Sequence, residues 1–235
     1  MTRILLLETS AATLSVALAE DGKVVAERIC TQPRMQSSLT APLVKEVMDE
    51  AGIGFDALDA VCVSKGPGSY TGLRVGVSTA KGIAFGSDIP LIAVDTPDIL
   101  VSSVMEISPR ASLGRDDIPL FIVPMIDARR MEVYTAVYNA AGERITPIEA
   151  KVVEPGSYDE YLAKGKVLFI GDGALKCKEV ITSANAEFRE SVPLASAMAP
   201  LAFKAFREGR FEDVAYFEPF YLKDFVATVS KKNLF

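Results

Sequence analysis

Residues 4–30 read ILLLETSAATLSVALAEDGKVVAERIC, and the way this stretch parses decides the fold. Ile4 to Leu7 is a short unbroken apolar run, the pattern of a strand buried on both faces, and the polar trio Glu8-Thr9-Ser10 ends it. Leu14, Val16 and Leu18 alternate with smaller residues and mark a second strand. Asp21-Gly22 is a hairpin turn signal, and Lys23 to Cys30 follows as a third strand. Three antiparallel strands before any helix exclude a fold that alternates strand and helix from its start.

Downstream the hydrophobic period changes. Leu39, Leu43, Val44, Val47, Met48 and Ala51 recur at helical spacing. A helix is therefore expected over Ser37–Ala51, capped by Ser37 and ended by Gly52. A strand at Leu58–Ser64 is broken by Gly66-Pro67-Gly68, and a second helix is expected over Thr71–Phe85. Leu91–Val94 forms another strand, and Asp95-Thr96-Pro97 opens a third helix with Thr96 as cap and Pro97 at its first position. This order is that of a ribonuclease-H-like mixed sheet. Around Ser108 to Ile118 the chain turns polar, which places a boundary there. Strands then resume at Leu120–Ile126 and Met131–Tyr138, with a turn at Ala141-Gly142. A strand near Val152-Val153, a helix from about Tyr158, a strand at Val167–Ile170 and a helix near Ala195–Glu208 complete the pattern. The expectation is an α/β protein of two domains, mixed sheets flanked by helices. Residues 1–107, completed by the tail 217–235, form the first domain, and 108–216 form a smaller second one. Direct comparison of the two halves gives no internal repeat.

Composition narrows the function. The chain has 235 residues, 49% hydrophobic and 24% charged, in the range of globular domains. No apolar run approaches the roughly 18 residues of a membrane helix, and Ile4–Leu7 is too short for a secretory signal. A cytoplasmic protein without a membrane segment is expected. Cys30, Cys62 and Cys177 are far apart and odd in number, so core filling suits them better than disulfide or zinc chemistry. A net charge of −6 and a pI near 4.9 disfavour direct grip on nucleic acid, which calls for a basic face. Histidine is absent altogether. That removes serine–histidine and cysteine–histidine nucleophilic machinery and histidine metal sites.

Four segments carry possible chemistry, each with a plainer alternative. Glu8-Thr9-Ser10 lies between two strands, where it either aims a carboxylate and hydroxyls at phosphates or makes an ordinary polar turn. Lys65 to Gly76 spans a strand-to-helix junction whose glycines admit a close approach of backbone to a ligand. Its spacing fits neither a P-loop nor a dinucleotide fingerprint. In the helix that follows, Gly72, Gly76, Ala80 and Ala84 stand four apart on one face. Glycine inside a helix costs about 1 kcal/mol relative to alanine, so Gly76 and Gly82 imply close packing, either by the same domain or by another subunit. Asp127 to Tyr134 lies at a turn between strands, charged and suited to solvent. Gly171-Asp172-Gly173-Ala174 follows an apolar strand and either cradles a phosphate or makes a tight turn before a helix.

Taken together, Ile4–Ser10, Lys65–Gly76, Ile126–Arg129 with Glu132-Val133-Tyr134, Gly171–Ala174 and Tyr221-Leu222-Lys223 resemble one family across nearly the whole chain, TsaB or YeaZ. The glycine-proline-glycine segment is the most specific of them. The resemblance implies an actin-like ATPase/sugar-kinase fold. It also implies a catalytically inactive paralogue that forms a heterodimer with TsaD, alongside the small ATPase TsaE. TsaD transfers a threonylcarbamoyl group to the adenosine beside the anticodon of certain tRNAs. On this reading the chain carries no cofactor, ATP and a metal belong to the partner proteins, and tRNA is reached only through the complex. A homodimer is expected when the partner is absent. The partner surface is expected on the faces of the first two helices, at Leu39, Leu43, Val47, Thr71, Gly72, Gly76 and Ala80. Glu8, Thr9, Ser10, Gly171, Asp172 and Gly173 would be the remnants of a nucleotide site.

The chain also departs from its relatives. TsaD-like proteins place two metal-binding histidines four apart in the helix after the fifth strand, and Thr96 and Leu100 stand there instead. Glu8 stands where the family carries Asp. Met35-Gln36-Ser37 replaces a histidine-containing stretch. Two other functions compete with the scaffold role. One is an active ATPase or phosphotransferase of the same superfold, using Glu8 and Asp172 with magnesium. The other is a peptidase, from the older glycoprotease label, and for that no nucleophilic agent is visible.

Overall fold

Every residue from Ile4 to Glu8 is buried, because this strand is the centre of a sheet covered on both sides. The computed structural model describes residues 1–107 and 120–223; the boundary expected around Ser108–Ile118 and the tail beyond Lys223 lie outside them. The first sheet contains β1 (Arg3–Glu8), β2 (Leu14–Glu20), β3 (Lys23–Cys30), β4 (Ala60–Gly66) and β5 (Leu91–Asp95), in the order β3-β2-β1-β4-β5. β1 runs antiparallel to β2 and parallel to β4, and β4 parallel to β5. This is the expected ribonuclease-H-like arrangement.

Side chains along β1 alternate between two cores, as a pleat requires. Leu5 and Leu7 join Leu43, Val44, Val47 and Met48 of α1 (Gln36–Ala51), and Val77, Ala80 and Ala84 of α2 (Tyr70–Ser87). Ile4 and Leu6 face the other way, toward Ile99 of α3 (Thr96–Ile107) and the 195–205 region. The helix starts differ from expectation in detail. Ser37 does not cap α1, whose cap position is Met35 with no side-chain bond. Buried Gln36 instead pins the helix to the β1–β2 turn, its Nε2 donating to the Ala11 carbonyl at 2.8 Å. Ser69 caps α2, accepting from the Gly72 amide at 3.3 Å. Thr96 is the first residue of α3, and its hydroxyl has no partner among the described residues, so it is not a bonded cap.

The second sheet has the order β11-β10-β6-β7-β9, built from β6 (Phe121–Asp127), β7 (Glu132–Thr135), β9 (Glu149–Val152), β10 (Val167–Ile170) and β11 (Ala186–Arg189). The short β8 (Tyr138–Asn139) pairs with β6. β6 is antiparallel to β7 and parallel to β10, and β10 parallel to β11. Strand for strand this repeats the first sheet: β6, β7, β9, β10 and β11 correspond to β1, β2, β3, β4 and β5. The repeat that residue comparison missed is therefore a repeat of topology. Its helices have shrunk to the four-residue α4 (Asp159–Leu162) and a 3-10 turn at Leu175–Cys177.

α3 joins the halves. Ile99 faces the first sheet, while Leu100, Val101 and Val104 pack with Ile122, Ile126, Tyr138, Leu168 and Ile170 of the second. The sequence reading placed the helix near 195–208 in the second domain. α5 (Ala199–Arg207) in fact lies on the first sheet, because Ala199, Ala202 and Ala205 fit against Ile4, Leu6 and Ile92. The chain beyond it stays on the first unit: Lys81 Nζ donates to the carbonyls of Ala215 and Phe217 at 3.2 and 3.0 Å. Among the described residues, no helix is long and apolar enough to cross a membrane.

Candidate functional site

The topological repeat brings the four sequence motifs to matching places. Glu8-Thr9-Ser10 follows β1 as Asp127–Arg130 follows β6, and the Gly66–Ser69 turn follows β4 as Gly171–Ala174 follows β10. All four lie at carboxyl ends of mutually parallel strands, where open α/β sheets bind ligands. The tail ties the two walls together. The Phe220 amide donates to the Lys65 carbonyl at 2.7 Å, and Lys223 pairs with Glu132. Three residues span at most about 10 Å, so one short stretch of chain crosses from one wall to the other.

On the first wall Glu8 is fully buried. Its Oε1 accepts from the Ser10 amide and hydroxyl, both at 2.6 Å, and from the Ser64 hydroxyl at 3.1 Å. Oε2 has no partner among the described residues. Burial pushes the carboxyl up to about 7, against the opposing pull of the Ser10 and Ser64 donors. Thr9 Oγ1 donates to the Gly72 carbonyl at 2.8 Å, and the Ser69 amide to the Ser10 carbonyl at 2.7 Å. A Cβ on Gly68 would lie under 3.0 Å from the Ser10 carbonyl. One on Gly72 would lie as close to the Thr9 carbonyl, and one on Gly76 to Thr9 Oγ1. The glycines thus exist so that the β1–β2 turn can seat directly on α2. Amides of Ser69, Gly72 and Leu73 have partners within the chain.

The second wall follows the same principle. Gly171 has φ +118, and a Cβ there would lie under 3.0 Å from the Met125 carbonyl. Its amide donates to Arg189 O at 3.2 Å, that of Gly173 to Met125 O at 2.9 Å, and that of Ala174 to Gly171 O at 3.3 Å. Gly171–Ala174 is a tight turn between strands, not an open phosphate cradle. Asp172 Oδ1 accepts from the Asp127 amide at 2.9 Å. Burial first, and the neighbouring Asp127 charge after it, hold the Asp172 carboxyl above its ordinary value, against the pull of that amide. Asp127 pairs with Lys176, whose Nζ also donates to Glu132 O at 2.8 Å. Arg129 and Arg130 at the tip are both left-handed, φ 72 and 53, a conformation uncommon outside glycine, asparagine and aspartate.

A further cluster between the units carried no sequence signal. Asp95 lies 3.5 Å from Lys65 and 3.0 Å from Arg144, and the Tyr138 hydroxyl donates to Asp98. These partners lie dozens of residues apart in the chain, so no spacing rule finds them. Burial raises Asp98, against the Tyr138 hydrogen bond. Beside them Thr96 is 0% exposed and Leu100 1%, and Leu100 is part of the apolar seam between the sheets. Among the described residues, no group of three or more Cys, Asp or Glu side chains could hold a metal ion.

The expected partner surface needs correction. Leu43, Val47, Gly72, Gly76 and Ala80 are buried inside the chain, because those faces of α1 and α2 cover the sheet and the β1–β2 turn. Leu39 is half-buried against the same core. Thr71 is exposed and begins the opposite face of α2, which continues through Arg74, Ser78, Gly82 and Phe85. Phe85 is 82% exposed, and nothing lies within 4 Å of a Cβ built on Gly82.

Two sheets of matching topology, facing turns at their carboxyl ends and a shared helix between them define an actin-like ATPase/sugar-kinase-type fold. The family model described as "TsaD: tRNA N6-adenosine threonylcarbamoyltransferase" matches residues 23–231. A relative from Escherichia coli (strain K12), "tRNA threonylcarbamoyladenosine biosynthesis protein TsaB", is 30% identical over 233 residues, 96% of either chain. A solved structure, "YeaZ from Pseudomonas aeruginosa", superposes with a TM-score of 0.79 at 26% identity, over 94% of this chain and 100% of that one. The activator of the 2-hydroxyisocaproyl-CoA dehydratase from Clostridium difficile shares the fold alone, with a TM-score of 0.50 at 11% identity over 89% and 97% of the two chains. The chain belongs to the TsaB (YeaZ) family, within the wider TsaD family.

Proposed function

We propose that the chain serves tRNA threonylcarbamoyladenosine biosynthesis as a non-catalytic subunit that docks a TsaD-type threonylcarbamoyltransferase. The observation that carries this reading is the self-filled cleft. At the two glycine turns the amides of Ser69, Gly72, Gly171, Gly173 and Ala174 are bonded to the chain itself, and Glu8 is sealed from solvent. The absence of histidine and the burial of Thr96 and Leu100 support it further. What remains available is surface, above all the α2 face around Phe85. ATP and metal belong to the partners, a TsaE-type ATPase being the third component. tRNA is reached through the assembly, in keeping with a net charge of −6 and a cytoplasmic setting. Without its partner the chain self-associates through the same face.

The test is reconstitution. Co-purification with a TsaD-type transferase, followed by tRNA modification with and without this chain, should show modification only when both are present. Phe85→Glu should fold normally, since surface changes are usually within about 0.5 kcal/mol, yet lose the partner. Threonylcarbamoyl transfer by this chain alone, or ATP turnover by it that Glu8→Gln abolishes, would defeat the reading in favour of an active enzyme.

A further inference from the structure

Glu8 is a buried carboxyl that the scaffold role leaves without a task. One oxygen takes three donors and the other none. Its counterpart in the second unit, Asp127, meets the ammonium of Lys176. Glu8 meets no cation among the described residues. Lys65 on β4 turns to Asp95, Arg74 on α2 lies over the Tyr70 ring, and Lys204 and Arg207 on α5 are exposed. On α3 Asp98 is engaged by Tyr138 and Arg144. The titratable group beside Glu8 is Cys62 on β4, whose thiol is pushed up by burial and then by the Glu8 charge. Burial keeps the Glu8 carboxyl up at about 7.

The contacts of this carboxyl lead directly to α2. Glu8 Oε1 holds Ser10, the Ser10 carbonyl holds the Ser69 amide at the helix cap, and Thr9 Oγ1 holds the Gly72 carbonyl. Thr9 and Ser10 fill the spaces that Gly68, Gly72 and Gly76 leave, so the helix cannot keep its seat if the turn moves. We propose that Glu8 is a proton-controlled peg of the turn on which α2 sits: neutral, it holds the 8–10 turn and seats the helix as observed; ionised, it draws water or a donor to its bare oxygen, shifts the turn and loosens the helix. The consequence for partner binding rests on the docking face assigned above. The peg itself does not.

Both parts can be read separately in the full-length chain. Carbon-13 NMR of the glutamate carboxyls, with proton–nitrogen spectra between about pH 5 and pH 8.5, follows Glu8 in the wild type and identifies it by its loss in Glu8→Gln. The expected result is a Glu8 midpoint near neutrality, with the Ser10, Ser69 and Gly72 amides moving at the same midpoint and staying still in Glu8→Gln. A midpoint in the ordinary carboxylate range overturns the proposal, and so do amides that ignore the titration. Because the wild-type titration needs no variant, a misfolded Glu8→Gln would not blunt the test. In the second arm, affinity for the transferase should weaken by about fivefold or more from pH 6 to pH 8 in the wild type and hold level in Glu8→Gln. Affinity that is flat in both overturns the regulatory part. Failure to bind at any pH overturns the docking reading while leaving the titration to decide the peg.

Discussion

α2 contains two interior glycines whose replacement by alanine should move stability in opposite directions. Alanine relieves the backbone entropy of glycine in a helix and is favoured by about 1 kcal/mol. At Gly82 nothing lies within 4 Å of the added Cβ, so Gly82→Ala should deliver that gain unopposed. At Gly76 the same Cβ would stand 3.2 Å from Thr9 Cβ and Cγ2 and under 3.0 Å from Thr9 Oγ1. Overpacking of this kind costs about 1–3 kcal/mol. Turning Thr9 aside also gives up its 2.8 Å hydrogen bond to the Gly72 carbonyl, about 1 kcal/mol more. Set against the propensity gain, Gly76→Ala should be destabilising by about 1–3 kcal/mol, and the two variants should differ by about 2–4 kcal/mol. Urea unfolding followed by circular dichroism reads this directly. With a slope of about 2–3 kcal/mol per molar, the midpoint should fall by about 0.3–1.5 M in one variant and rise by about 0.3–0.5 M in the other. A Gly76→Ala protein as stable as the wild type would refute the seating of the β1–β2 turn on this helix. It would also restore the expectation that position 76 faces a partner.

Glu8→Gln should flatten the pH dependence of stability. A carboxyl raised from 4.5 to about 7 by folding favours the folded state fully below its unfolded value. That advantage, about 3 kcal/mol, is lost as pH climbs through about 7, so the wild-type melting temperature should drop between pH 5 and pH 8 while the variant's changes less. Tyr138→Phe removes the donor to Asp98 and should cost about 1.5–3 kcal/mol in urea unfolding, the range for hydrogen bonds to charged groups; an unchanged midpoint would mean the cluster between the sheets contributes nothing. Gly171→Ala combines a left-handed backbone with collision against the Met125 carbonyl. It should cost more than the about 1–2 kcal/mol of a left-handed residue alone, visible as a lower midpoint or lost soluble yield.

Legibility from sequence followed the range of the forces involved. Elements governed by local pattern were readable: the alternation of Leu14, Val16 and Leu18, the helical spacing from Leu39 to Ala51, and the apolar run at Val167–Ile170 all mark real strands and helices. Caps were read less well, because Ser37 and Thr96 fit by residue type while the start of α1 at Gln36, after Met35, is pinned through a carbonyl at Ala11, 25 residues away. The glycine stripe of α2 was seen as close packing, but its partner was not, since Thr9 lies 63 residues from Gly72. The cluster of Asp95, Asp98, Tyr138 and Arg144 left no trace, being assembled wholly by the tertiary fold.

The topological repeat explains why the site is harder to read than the fold. Corresponding turns in the two sheets have kept their glycines for the same steric reason, a carbonyl beneath the turn: Thr9 and Ser10 in one unit, Met125 in the other. Glycines of that kind look the same in sequence whether the space they open admits a phosphate or the chain's own backbone. Only the fate of the amides separates the cases, and here those at Ser69, Gly72, Gly171 and Gly173 all end on the chain itself. The carboxylates at the two β-turns differ where the glycines do not. Asp127 has a cation within reach, and Glu8 has none among the described residues. The Glu8 side chain lies beside Cys62 on the face away from α2, and what joins it to that helix is the Ser10 turn, whose amide Glu8 holds and whose carbonyl holds the Ser69 amide.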